Sequence, residues 1–537
     1  MGKSSFRRIS EGELKGRVRE DLYPRLPSAF FKDPVSTVRQ MEGEVLKESR
    51  LRWAAFVPLS KGEKIFLKRD LTKGWFESLK YLFLPSKGKK EWSIARQLEG
   101  RGLSIPAPLG WMEKVHSGFV RESYYLSEAV GSGVSILDAL GSGESLDGSR
   151  FAKHVRAIHD SGFFHKDFHA GNFLQRGDTF FLTDLHRARI VKHLSDRQRV
   201  LSLSQLFHSL RSYWGGEEQG RFMEEYLGGE PLAVRNQESL LRRILSTMER
   251  LQKRQWKSRT KRCLKESTDF SVQREKGMTL YRRRDFAAGL AKKAVEEHLS
   301  LVKKESVGVV KNSPEVAVSL LRNGERGICV KQFRYPGLWN RFKERVRGST
   351  GLRAWIAGNG LRTRGVPVPE PLALVEVRKR GWRESFFAME ALEPGQELDR
   401  SILKGWENLE GKKRFVQTFA RWLSRLHQMN LYHKDMKACN IVVLRKAGRW
   451  DFYLLDLEDV RLDGKVNEKK LFRNLLQLNT SIPKSLSRTD RLRFLKAYLR
   501  MNPIVRDTKR FVRRLGERSK ERGIVYLSPE GVVEDKL

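Results

Sequence analysis

Phe163-Phe-His165-Lys166-Asp167-Phe-His169-Ala-Gly-Asn172-Phe-Leu returns 268 residues later as Leu431-Tyr-His433-Lys434-Asp435-Met-Lys437-Ala-Cys-Asn440-Ile-Val. Both stretches read His-Lys-Asp-x4-Asn, and each is followed by an apolar run ending in an acid, Phe180-Phe-Leu-Thr-Asp184-Leu and Phe452-Tyr-Leu-Leu-Asp456-Leu. Working outward, Arg101-Gly-Leu-Ser-Ile-Pro-Ala-Pro108 matches Arg364-Gly-Val-Pro-Val-Pro-Glu-Pro371 at an offset of 263. Further upstream, Lys64-Ile-Phe-Leu-Lys68 matches Gly327-Ile-Cys-Val-Lys331 at the same offset. Four blocks in one order, twice, with an offset drifting by under ten residues, mark a tandem duplication.

The repeat sets the expected organisation: a first domain over 30–265, a second over 266–510, and a basic C-terminal tail over 511–537 with a loose end. Between the copies, Leu241, Ile244, Leu245, Met248, Leu251 and Trp256 recur at helical spacing, which predicts a closing helix running into the junction. Within each copy short β-branched and aromatic runs come first. They are Leu51–Leu59, Lys64–Lys68 and Tyr124–Glu128, then Val316–Leu321, Ile328–Phe333 and Phe386–Glu390. After Leu137 and Ile402 the pattern turns mostly helical. Strands first and helices later predict an α+β chain of two bilobal domains, each with a small β-rich lobe and a helical lobe.

Composition narrows the partners. The 105 Lys and Arg residues against 64 Asp and Glu leave a formal charge of +41 on 537 residues. The longest stretches without a charged residue, Gly102–Met112 and Val200–Leu210, are too short to span a bilayer. Met1–Arg8 has no apolar core after it and does not read as a signal peptide. Cys263, Cys329 and Cys439 lack the spacing of a disulfide framework or a zinc site. At 39% hydrophobic residues the chain can bury real cores. A cytoplasmic protein with negatively charged partners is expected. The charge would usually suggest nucleic acid, but no aromatic-rich RNA motif or zinc finger accompanies it, so no nucleic-acid partner is expected.

The repeated residues match the needs of phosphoryl transfer from ATP, which are charge neutralisation and alignment. Such a site wants a fixed cation on the phosphates, carboxylate and amide oxygens for magnesium, and a carboxylate beside the attacking hydroxyl. Lys68 and Lys331 are the candidate phosphate ligands, and Asp167 and Asp435 the candidate catalytic bases. Asn172 and Asn440, with Asp184 and Asp456, are the candidate magnesium ligands. His165 and His433 are expected to hold the loop by hydrogen bonds to backbone groups, and His159 and His427 to pack between helices.

With these residues the chain resembles the protein-kinase-like superfamily, whose catalytic loop reads His-Arg-Asp-x4-Asn. It resembles more closely the bacterial lipopolysaccharide core kinases of the Kdo and heptose kinase (Kdo/WaaP) type. The carrying residues are Val330-Lys331 through Trp339 to Arg353-Ala354-Trp355, then Arg364-Gly-Val-Pro-Val-Pro and Arg488–Tyr498. Copy one carries the likeness through Lys68, Glu91-Trp92, the Ile-Pro-Ala-Pro turn and its His-Lys-Asp loop. The resemblance implies two protein-kinase-like bilobal domains using ATP and Mg2+ to phosphorylate a hydroxyl of Kdo or heptose in the inner core. It further implies a lipopolysaccharide core precursor as partner, and a peripheral position on the anionic cytoplasmic face of the inner membrane. The dense basic runs Lys87–Lys90, Lys253–Arg262, Arg282–Arg284 and Arg341–Arg347 fit that surface, which they could reach without a hydrophobic anchor.

Two departures stand out. Neither lysine is preceded by GxGxxG. In the superfamily a helix glutamate pairs with the lysine; copy one offers Glu91, but copy two has Ala354 at the matching place. Lys331 must then find another carboxylate or rely on phosphate alone, which leaves the activity of copy two open. After Asp184 and Asp456 only about ten residues precede the next helical pattern, and no Ala-Pro-Glu follows. A short segment leaves the cleft open to a compact acceptor such as a sugar rather than a protein. The alternatives are a kinase of this fold acting on proteins or another small molecule, and a partly degenerate pseudokinase scaffold. Oligomeric state is not readable from the sequence.

Overall fold

Strand Lys64–Leu71 shows how each sheet is built. Ile65 and Leu67 are buried on one face, while Phe66 and Lys68 project from the other. In the computed structural model this strand is β5 of a seven-stranded antiparallel sheet. Its companions are β1 (Phe6–Glu11), β2 (Leu14–Arg19), β3 (Glu44–Ser49), β4 (Arg52–Pro58), β6 (Pro108–His116) and β7 (Phe119–Glu128). The order is β1-β2-β6-β7-β5-β4-β3. The structure describes residues 5–131, 134–228, 231–323, 326–335, 348–379, 382–446, 448–528 and 531–535. Trp339 and the basic run Arg341–Arg347 lie outside the described residues.

The chain divides into two units, Met1–Lys253 and Arg254–Leu537. The division falls inside a helix, Pro231–Thr260, where the sequence predicts one, but ahead of the expected 265/266 boundary. The first unit also takes in residues before 30. Ile9, Leu14 and Val18 of its first hairpin join Trp53, Ile65 and Leu67 under Phe30, Phe31, Val35 and Val38. On the other face, helix Lys87–Glu99 buries Ile94, Ala95 and Leu98 against the core of the helical lobe. That lobe is built on helices Gly148–Asp160, Asp196–Leu210 and Gly216–Leu227. Four short strands shape its loops: β8 (Phe163–His165), β9 (Phe173–Arg176), β10 (Thr179–Leu182) and β11 (Ala188–Ile190). β8 pairs with β11, and β9 with β10.

The second unit repeats the plan. Its strands are β12 (Phe270–Glu275), β13 (Met278–Arg283), β14 (Val309–Asn312), β15 (Val316–Asn323), β16 (Arg326–Phe333), β17 (Pro371–Lys379) and β18 (Trp382–Glu390). The order β12-β13-β17-β18-β16-β15-β14 is that of the first sheet. Its outer face is covered by helix Ala288–Lys304, through Ala291, Ala294 and Val295. Helix Thr350–Thr363 occupies the place of Lys87–Glu99. Helices Leu409–Gln428, Glu468–Asn479 and Arg488–Arg500 form the second helical lobe. The residues after 510 do more than trail from it. Helix Thr508–Arg522 buries Phe511 and Leu515 in the second unit's core, and Ile524–Ser528 pairs with Gly531–Asp535 where a loose end is expected. No helix among the described residues is long and apolar enough to cross a membrane.

Candidate active site

In the first unit β5 delivers the lysine and the facing helix delivers its counter-charge. Lys68 Nζ donates to Glu91 Oε2 at 3.0 Å and also contacts Asp184 Oδ1. Helix Lys87–Glu99 is fixed at its start by the Ser86 hydroxyl, which accepts from the Lys89 N–H. Glu91 is 2% exposed, and its Oε1 accepts the Leu185 N–H at 3.1 Å, which ties the helix to the turn after Asp184. Burial alone would lower the Lys68 pKa, but the Glu91 and Asp184 carboxylates more than reverse this and hold the ammonium charged. Burial likewise pushes the Asp184 carboxyl up, and His186 and Lys68 pull it well below the carboxylate range. Lys68, Glu91 and Asp184 line a cavity of about 220 Å³ with Phe56, Phe66, Tyr125 and Leu182.

The residues of the His-Lys-Asp loop are assembled through the backbone. Asp184 adopts φ 57°, ψ 47°, a left-handed conformation that costs a non-glycine residue energy and recurs at functional sites. Its carbonyl accepts from His165 Nε2 at 3.1 Å, while His165 Nδ1 accepts the Asp167 N–H at 3.2 Å. The imidazole therefore clamps the two segments as a neutral ring, the expected role. Asn172 Nδ2 donates to the Asp167 carbonyl at 2.9 Å, which leaves its amide oxygen available to a cation. Arg187 Nη1 lies 3.2 Å from Asp167 Oδ2.

The second unit builds the same cluster from a different donor. Lys331 Nζ bonds Asp456 Oδ1 and Glu458 Oε1, each at 2.6 Å. Ala354 is fully buried in the core, on a helix seated so closely that a Cβ at Gly351 would lie 2.5 Å from Ser385 Cβ. The missing carboxylate is thus supplied two residues after Asp456. His186 occupies that position in copy one, with its Nδ1 2.7 Å from Asp184 Oδ1. The lysine's carboxylate has moved from helix to turn between copies. Again burial opposes and the two acids prevail, so the Lys331 ammonium stays charged. Asp456 is left-handed at φ 45°, ψ 53°, and His433 Nε2 reaches its carbonyl at 3.2 Å. Asn440 Nδ2 donates to the Asp435 carbonyl at 2.8 Å, and Lys437 Nζ lies 3.0 Å from Asp435 Oδ2.

Two supporting pairs escape the motif reading. Gln205 accepts the Phe168 N–H at 3.0 Å and donates to the Lys166 carbonyl at 2.8 Å. Gln477 does the same with the Met436 N–H and the Lys434 carbonyl. Ser209 and Ser481 accept the N–H groups of Ala170 and Ala438 at 2.9 and 2.8 Å. The sequence signal is a further repeated block, Gln-x3-Ser, at the offset of 272 that already relates Asp184 to Asp456. His159 and His427, buried, bond the hydroxyls of Tyr226 and Tyr498 across helix pairs at 2.8 and 2.5 Å.

Comparison with known proteins adds the family. The lipopolysaccharide kinase (Kdo/WaaP) family matches residues 36–226 and 341–498. Among solved structures the chain is similar to WaaP in complex with acyl carrier protein, at 19% identity over 41% of this chain and 91% of that one, with a TM-score of 0.31. It is also similar to a Stt7 homologue from Micromonas algae soaked with ATP, at 11% identity over 28% of this chain and 50% of that one, with a TM-score of 0.22. No curated protein sequence matches it.

Proposed function

The chain belongs to the lipopolysaccharide kinase (Kdo/WaaP) family, and from that premise we propose that each unit transfers the γ-phosphoryl group of ATP to a hydroxyl of a Kdo or heptose in the inner core. The observation that carries this reading is the buried ammonium held by two carboxylates in both copies, rebuilt in the second from Glu458.

In this reading Lys68, positioned by Glu91, and Lys331, positioned by Glu458, grip the nucleotide phosphates. Asp167 and Asp435 orient the acceptor hydroxyl and take its proton at a carboxylate oxygen. The carboxylates of Asp184 and Asp456 and the amide oxygens of Asn172 and Asn440 form an all-oxygen donor set that suits a hard cation, and these residues would hold Mg2+. When bound, Mg2+ neutralises charge on the β- and γ-phosphates. In the first unit Glu91, Asp184 and His186 present ligand atoms within 4.8 Å of one another. The left-handed turn at each aspartate aims its carboxylate at the lysine. The short segments from these turns to Asp196 and Glu468 leave the cleft open to a compact acceptor. The acceptor, a lipopolysaccharide precursor, would be met at the anionic cytoplasmic face of the inner membrane, where the basic surface favours a peripheral position.

Purified full-length protein with labelled ATP and core acceptor tests this. Asp167→Asn and Asp435→Asn should each remove part of the label and together remove all of it. Label on added protein but none on core sugar would overturn the acceptor class, and full label in the double variant would overturn the assignment of the bases.

A further inference from the structure

Helix Trp75–Phe83 of the first unit is amphipathic the wrong way round for a water-soluble surface. At helical spacing Trp75, Phe76, Leu79, Leu82 and Phe83 fall within one arc of roughly 120°. That arc faces solvent, with Phe83 at 87% and Phe76 at 72% exposure, and Leu84 continues it. The Trp75 and Phe76 rings stack at 3.8 Å. The opposite side fastens the helix to the unit: Ser78 is buried, and Glu77 pairs with Lys87 Nζ of the next helix at 3.1 Å. A patch of this kind marks an interaction site rather than scattered exposure.

Its surroundings identify the partner. Lys73, just before the helix, and Lys80, next to the arc on it, are exposed, while the nearby acid Glu77 is already engaged by Lys87. Aromatic and leucine side chains flanked by long-stemmed lysines are the chemistry of a helix lying in the bilayer interface, with rings at the headgroup level and ammoniums on the phosphates.

We propose that helix Trp75–Phe83 is an in-plane anchor that inserts its aromatic arc into the interface of an anionic bilayer. Charge brings the protein to the surface, and this helix holds it there. A hydrophobic anchor thus joins the basic runs from which attachment is otherwise expected. The inference deepens the peripheral position proposed above and is independent of the reaction.

The test is flotation of the full-length protein, without nucleotide or acceptor, on vesicles of phosphatidylcholine alone or mixed with phosphatidylglycerol. Wild type should bind the anionic vesicles and keep part of that binding in high salt, where charge attraction is screened. The triple variant Trp75→Ser, Phe76→Ser, Phe83→Ser changes only exposed residues and should fall at least about tenfold in partitioning, the least that one buried aromatic is worth. Lys73→Gln with Lys80→Gln should weaken binding to anionic vesicles and spare the salt-resistant part. Stabilisation by ATP should be unchanged in the triple variant, which separates this inference from the kinase reading. Equal binding by triple variant and wild type would overturn the anchor. So would a wild type that ignores vesicles but loses self-association in the triple variant, since the arc would then be a protein contact.

Discussion

At the scale of single residues, the site shows how a charge can change its address without changing its job. Lys68 takes its second carboxylate from a helix and Lys331 takes it from a turn, yet both ammoniums end between two carboxylates. Glu458→Gln should therefore do to the second unit what Glu91→Gln does to the first, lowering turnover on the order of 10²-fold, the scale of misplacing a phosphate ligand. Label transfer in an Asp167→Asn background isolates the second unit, and turnover unaffected by Glu458→Gln there would show that Glu458 is a bystander. Adding Ala354→Glu should not rescue it, because that position is fully buried and the new side chain would overpack the core. The motif residues were legible because His-Lys-Asp-x4-Asn and the later acid recur in both copies at nearly constant spacing. Glu458 was not, because the gap at Ala354 shows only that a partner is missing and not which element supplies it.

At the scale of elements, each helical lobe is pinned by a buried histidine. His159 joins helix Gly148–Asp160 to Gly216–Leu227, and His427 joins Leu409–Gln428 to Arg488–Arg500. Burial lowers both, His427 to about 4 and His159 to about 3. The unfolded chain, with a histidine pKa near 6.5, binds the proton more readily. Stability is therefore full above that value and is lost as pH falls toward the folded value. For His427 about 2 kcal/mol should be gone by pH 5. Thermal melts from pH 7.5 to 5 check this: His427→Asn should start less stable and decline less steeply, and a parallel decline would exclude the histidine as the cause. Elements themselves were unevenly legible. β5 alternates clearly, but in β1 and β2 the only apolar side chains buried are Ile9, Leu14 and Val18, set among exposed basic residues, too sparse a signal for a hairpin. Helix Trp75–Phe83 shows its period in the sequence, yet a period cannot say whether the apolar arc meets a core or a lipid.

At the scale of the molecule, duplication places two separately cored kinase-like units on one chain, and this was readable because the offset between repeats hardly drifts. Each unit closes its own sheet and its own helical lobe, so heating should reveal two transitions rather than one. A ligand that binds only the folded site stabilises it by mass action, about 2.7 kcal/mol at a hundred times its dissociation constant. ATP with magnesium should then raise both transitions, Lys68→Met should remove the response of one, and Lys331→Met that of the other. Calorimetry of the full chain reads all three. Should the transition sensitive to Lys331→Met never respond to nucleotide, the Glu458 cluster would be a stabilising ion pair in a retired copy. The two-site reading would then contract to the first unit, where Lys68, Glu91 and Asp184 meet in the form the superfamily leads one to expect.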